Sequence, residues 1–238
     1  MIEINEDKHF SLAHKLYARL TDIEKIILLS CGFSIFLVLA RIVFTERIVY
    51  VSLVWNLFLA YIPWLITRWM YCRVIVKEGG KFWSIFFIWL LFIPNSFYII
   101  TDLFHLSERE GAPKWFDLAM IFSFAWNGLL MGILSINKME QFILAKFKHK
   151  KSWFFIYVIM WLNALGIYIG RYLRFNSWDI ITNPFHLASD IIYLCIHPFR
   201  NFHEWSMIIC FSILMTLMYK SVLSMSKNFL RSNKYNTT

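Results

Sequence analysis

Four stretches of this sequence, residues 48–67, 82–101, 118–137 and 152–170, contain no Lys, Arg, Asp or Glu. Each is close to the roughly 20 residues with which an α-helix crosses the hydrocarbon core of a bilayer. In lipid no water hydrogen-bonds the backbone, so a segment of this kind must satisfy its own amides, and a helix does so within itself. Two shorter uncharged runs, 26–40 and 205–219, reach spanning length if Arg41 and Lys220 extend their charged heads to the interface. The expected fold is therefore all-α, a polytopic membrane bundle of six transmembrane helices. Composition agrees, with 59% hydrophobic and 16% charged residues, where a soluble domain has about half and a quarter.

The net charge of +9 is explained by where the charges fall. With six spans, 17 of the Lys and Arg residues lie on the side of the termini and 7 on the other, while Asp and Glu divide 7 against 8. This is the positive-inside asymmetry, which predicts cytoplasmic termini and makes the basic balance a topology signal rather than a nucleic-acid footprint. Residues 1–22 form a cytoplasmic segment with a weak apolar stripe (Phe10, Ala13, Leu16, Tyr17, Leu20), readable as an amphipathic helix on the inner leaflet or as a loose tail. Residues 23–224 form one membrane domain and 225–238 a cytoplasmic tail. Cys31, Cys72, Cys195 and Cys210 fit neither a disulfide framework nor a metal motif.

The segment after the fifth span is too polar to cross and too apolar for a free loop. Asn183 and Pro184 start a helix that Pro198 ends, so residues 184–197 predict an interfacial or re-entrant element at the outer side. His186, Asp190, Tyr193 and His197 share one of its faces. In the third span Asn95, Tyr98, Asp102 and His105 fall within a narrow arc. Helix rise places Asp102 about 30 Å from Phe82, at the outer boundary, and brings Arg171 and Arg174 to the same level in the fifth span. Asp117 opens the fourth. Asp102, His105, Asp117, Arg171 and Arg174 are thus expected to gather inside the outer mouth of the bundle, with the midplane holding only Asn56, Asn127 and Asn163. The pairs Gly128/Gly132 and Gly166/Gly170 have the spacing that lets membrane helices approach closely. An ungapped likeness of NSFYIITDLFHL (95–106) to NPFHLASDIIYL (183–194) would, if it is a repeat rather than a coincidence, set two polar stripes across one pocket.

The blocks PNSFYIITDLFHL, WFDLAMIFSFAWNGLLMGILS and GIYIGRYLRFNSWDIITNP together resemble the bacterial membrane proteins known as domain of unknown function 1361, over about residues 30–220. The family pattern falls on Pro94, Asn95, Tyr98, Thr101, Asp102, His105 and Leu106. It continues through Asp117, Gly128, Gly132, Gly166, Tyr168, Gly170, Arg171 and Arg174 to Asn176, Ser177, Trp178, Asp179, Asn183 and Pro184. The resemblance implies a multi-pass protein of the bacterial plasma membrane and brings no activity, substrate or cofactor.

Function must be argued from the residues. In one reading the outer site binds or processes an anionic, lipid-linked ligand: Arg171 and Arg174 fork onto a phosphate, and Asp102 or Asp117 with His105 supplies acid–base chemistry. Asn95, Tyr98, Asn176, Trp178, Asp179, His186 and Asp190 are the further ligand contacts expected. Asp102 and His105, one turn apart, could share a metal with Asp117 or the His186–Asp190 pair, although no strong metal motif is present. A second reading is a non-catalytic scaffold in which Asp102 and Asp117 pair with Arg171 and Arg174 only to lock helices. A third is a proton- or cation-coupled transporter, which the charge-poor midplane disfavours. The bilayer is the partner expected in every case.

Overall fold

The computed structural model describes residues 21–73, 79–106, 112–147, 153–175 and 182–235. Its elements are α1 (Asp22–Thr45), α2 (Val51–Arg73), α3 (Gly79–Tyr98) running into a 3₁₀ segment (Ile99–His105), α4 (Lys114–Phe147), α5 (Trp153–Arg171), the short α6 (Pro184–Ile196) and α7 (Phe202–Tyr235). All except the 3₁₀ segment and α6 are long and apolar enough to cross a membrane, giving six spans. The architecture is the polytopic helical bundle that the uncharged runs predict.

The bundle is built for lipid. Leu29, Phe44, Phe87, Phe122 and Phe154 point outward and are more than half exposed, an exposure that soluble monomers rarely allow for so many large apolar side chains. Polar side chains instead turn inward and bond helix to helix. Ser135 of α4 accepts from Trp89 Nε1 of α3 at 2.8 Å and donates to Pro63 O of α2 at 2.8 Å. Pro63 and Pro94 each remove a backbone donor within a span. Near the first, Ser96 Oγ donates to Ala60 O at 3.0 Å, tying α3 to α2. These bonds work because hydrocarbon offers polar groups no alternative partner.

α3 packs between α4 and α5, and small residues on both neighbours admit it. A methyl at Gly128 of α4 would stand 2.5 Å from Ile99 Cγ2, and one at Gly132 would stand 2.9 Å from the side chains of Ser96 and Phe97. On the other flank, a methyl at Gly166 of α5 would lie 2.7 Å from the Pro94 ring, and Gly170 lies under Tyr98. Both glycine pairs therefore notch the same helix, at the stretch that carries Pro94 to Ile99.

α1 begins with a capping box, Thr21 and Glu24 exchanging side chain-to-backbone hydrogen bonds. α6 starts at Pro184 as expected and stops at Ile196, one residue short of expectation. Its 13 residues cannot cross a bilayer. Only Leu187 and Leu194 are buried in it, while Phe185 and Ile196 are strongly exposed. α7 continues to Tyr235, past the expected end of the membrane domain. Most of the N-terminal segment expected to be amphipathic, residues 1–20, lies outside the described residues.

Candidate functional site

The polar residues of the end opposite the termini are positioned by a change of helix type. α3 keeps α-helical geometry to Tyr98 and then tightens to 3₁₀ over Ile99–His105. A 3₁₀ helix advances about 120° per residue instead of 100°, so the single arc expected for Asn95, Tyr98 and Asp102 divides. Asn95 and Tyr98 face a cavity. Asp102 turns inward and is 3% exposed. The side chain of His105 lies outside the described set.

Asp102 is held by two other helices. Asn56 Nδ2 of α2 donates to Asp102 Oδ2 at 2.8 Å. Arg171, the last residue of α5, brings Nη2 to 3.6 Å from Asp102 Oδ1. The same guanidinium donates to Thr101 O and, at 3.4 Å, to the Tyr98 hydroxyl. It also lies over the Tyr98 ring at 5.3 Å and the Phe104 ring at 5.7 Å. The expected Asp–Arg contact is thus present, as Asp102 with Arg171. Asn56, assigned to the midplane by sequence, belongs to this cluster because it sits one turn and a half into α2, near its distal end.

Asp117 departs from expectation. It does not reach Arg171 or Arg174; its partner is Arg41 of α1, through Nε at 2.6 Å and Nη2 at 3.0 Å. Tyr50 adds a hydroxyl at 3.4 Å and a ring 5.1 Å from the guanidinium, delivered by a turn in which Glu46 and Tyr50 adopt positive φ of 52° and 66°. Arg41, expected to snorkel, is only 1% exposed. A bidentate carboxylate in a low-dielectric site replaces the hydration that snorkelling would have kept. The cluster expected at one mouth is therefore two separate knots, and the one containing Asp117 is sealed.

Beside the Asp102 knot lies a cavity of about 420 Å³ between α2, α3, α5 and α6. Its walls are apolar, with Leu59, Leu90, Leu91, Leu162, Leu165, Ile169, Leu187 and Ile191. At its distal end the lining turns polar, with Asn56, Asn95 and Tyr98. Trp55 and Phe87 stand at its margin, and both are more than half exposed on the lipid-facing side of the bundle. Gly166 and Gly170 line it too, so the small residues that admit α3 also leave this space open.

The remaining candidates divide. Arg174 is exposed and adopts φ 60°, because α5 ends at Arg171 and the helical phase that turned Arg174 inward does not extend to it. Its neighbour Phe175 lines the cavity. His186 and Asp190 pair with each other at 3.3 Å on the exposed side of α6, which presents Leu187 and Ile191 to the cavity instead. The two similar segments do meet across one pocket, then, but the second contributes apolar residues. Asn176, Trp178 and Asp179 lie outside the described residues. Among the described residues no three His, Cys, Asp or Glu side chains come together as a metal shell. Sequence reasoning missed Arg41 and misplaced Asn56. The signal for Arg41 was its position, inside a helix one turn short of the interface.

No curated protein and no solved structure matches the chain. One family model does, over residues 55–218, which takes in most of α2, all of α3 to α6, the cavity and most of the span formed by α7. The chain belongs to the family described as Protein of unknown function (DUF1361).

Proposed function

We propose that this is a plasma-membrane protein with cytoplasmic termini that binds a lipid or lipid-linked molecule in the cavity between α2, α3, α5 and α6. The carrying observation is the amphipathic lining: leucine walls, a polar cap of Asn56, Asn95 and Tyr98, and lipid-facing Trp55 and Phe87 at the margin. Its volume is in the range of small-molecule sites. Phe87 and Tyr98 are about 16 Å apart along α3, room for an acyl-type tail. The tail would lie against the leucines and the head against the two amides and the phenol.

The anionic character of the head rests on Arg174. Arg171 already serves Tyr98, Thr101 and Asp102. Arg174 is exposed beside the lining residue Phe175, in a left-handed conformation that costs a non-glycine residue of order 1 kcal/mol or more. Strain of that kind tends to persist where a site requires it. Asp102 acts from behind, fixing the Asn56 amide that faces the ligand.

The test is photo-crosslinking in membranes with a diazirine-bearing phospholipid, mapped by peptide mass spectrometry. Label should fall on α3 and α5 near Leu91 and Leu165, and Leu165→Trp, which fills the cavity, should remove it. Label spread evenly over the lipid-exposed faces, and unchanged by Leu165→Trp, would refute the reading.

A further inference from the structure

We infer a second anion site at the opposite end of the bundle, formed by Arg68, Lys138 and Trp64, that takes the phosphate of an anionic phospholipid. Its basis is independent of the cavity. Glu24 of α1, 6% exposed, lies 3.0 Å from Arg68 Nη1 of α2 and 3.0 Å from Lys138 Nζ of α4. Both cations also pack against the Trp64 ring, at 5.3 and 5.8 Å. Two positive charges share one carboxylate, which leaves the group at +1. Lys25 adds nothing to the balance, since it pairs with Asp22 at 3.2 Å.

Two further facts point to a missing anion. The Trp64 indole N–H is buried with no acceptor among the described residues, in a residue only 2% exposed. The side chains of Arg68 and Lys138 keep 21% and 26% of their surface open, so a ligand can reach them.

Depth selects the ligand. Along α4, Lys138 is about 32 Å from Asp117, and along α1, Glu24 is about 26 Å from Arg41. These separations match the roughly 30 Å hydrocarbon core, and the triad therefore stands at phosphate level in one leaflet. A partly desolvated net positive charge there is best neutralised by a headgroup that is negative overall. A zwitterionic lipid brings its own ammonium and competes poorly.

Native mass spectrometry of the purified protein, titrated separately with dioleoyl-phosphatidylglycerol and dioleoyl-phosphatidylcholine, tests the inference. The parent should prefer phosphatidylglycerol, and Lys138→Met should weaken that preference about fivefold, the share of one cation near a membrane surface. Arg68→Met should do the same, which keeps the test valid if one variant fails to fold. Glu24→Gln should act in the opposite direction and sharpen the preference, whereas a merely structural triad would lose stability in all three variants with no change in lipid selectivity. Lys220→Met, at an exposed cation on the same side, should change nothing. An unaltered preference in both Lys138→Met and Arg68→Met would overturn the site, and displacement of phosphatidylglycerol by millimolar sodium phosphate would overturn its assignment to lipid. Arg174 beside the cavity is unchanged in these variants and stands at the opposite end of the bundle, so a preference altered by Lys138→Met or Arg68→Met reports the triad and not lipid held in the cavity.

Discussion

Replacing Asp117 by Asn removes one charge and almost no volume, and the structure says it should be among the most damaging changes in the chain. Arg41 and Asp117 are each 1% exposed and meet through two hydrogen bonds, at 2.6 and 3.0 Å. Asparagine can still accept from the guanidinium but cannot neutralise it, so a full positive charge is stranded inside the bundle. Breaking a buried pair from one side costs about 3–5 kcal/mol, a hundredfold or greater loss in the ratio of folded to unfolded protein. Arg41→Met should cost about as much, since among the described side chains Asp117 would keep only the Tyr50 hydroxyl at 3.4 Å. The double variant Arg41→Met with Asp117→Leu removes both charges and fills the space with apolar atoms. It should recover most of the loss, because burying the pair already costs desolvation that its attraction only roughly offsets. Reversible unfolding in mixed detergent–SDS micelles, followed by tryptophan fluorescence, gives the three values and their coupling energy. Single variants within about 0.5 kcal/mol of the parent would refute the reasoning. So would a double variant as unstable as the two singles added together.

Gly166→Ala should lower stability by about 1–3 kcal/mol, because its methyl meets the rigid Pro94 ring at 2.7 Å. Gly32→Ala, with nothing within 4 Å, should instead raise it by about 0.5–1 kcal/mol; the same unfolding assay compares them. Asn56→Leu should cost about 1–3 kcal/mol by leaving an Asp102 oxygen without its amide donor, and should abolish lipid crosslinking in the cavity. Reporter fusions after residues 75, 148 and 230 should read cytoplasmic and one after residue 110 external; a cytoplasmic signal at 110 would overturn the proposed orientation.

What the sequence determined by itself is whatever lipid enforces one segment at a time. A run of some twenty residues without charge has few alternatives in a bilayer, so the six spans, the short helix opened by Pro184 and the polar band at one end were all legible from residue order. Spacing also identified both glycine pairs as packing surfaces. Tertiary structure decided which helix they receive: α3 at Pro94 to Ile99, on both flanks. It decided the partners of the charges, for the same reason. Which carboxylate meets which guanidinium depends on the rotation and tilt of whole helices, and these are set by side-chain packing between them rather than by depth along any one. Depth placed Asp117 level with Arg171; packing gave it Arg41, on a neighbouring helix. A 3₁₀ turn of seven residues then separated Asp102 from Asn95 and Tyr98, a change of phase invisible to a uniform helical count. The cavity is the extreme case, since its lining comes from four helices. An empty volume belongs to none of them singly, and it exists only where their packing leaves it.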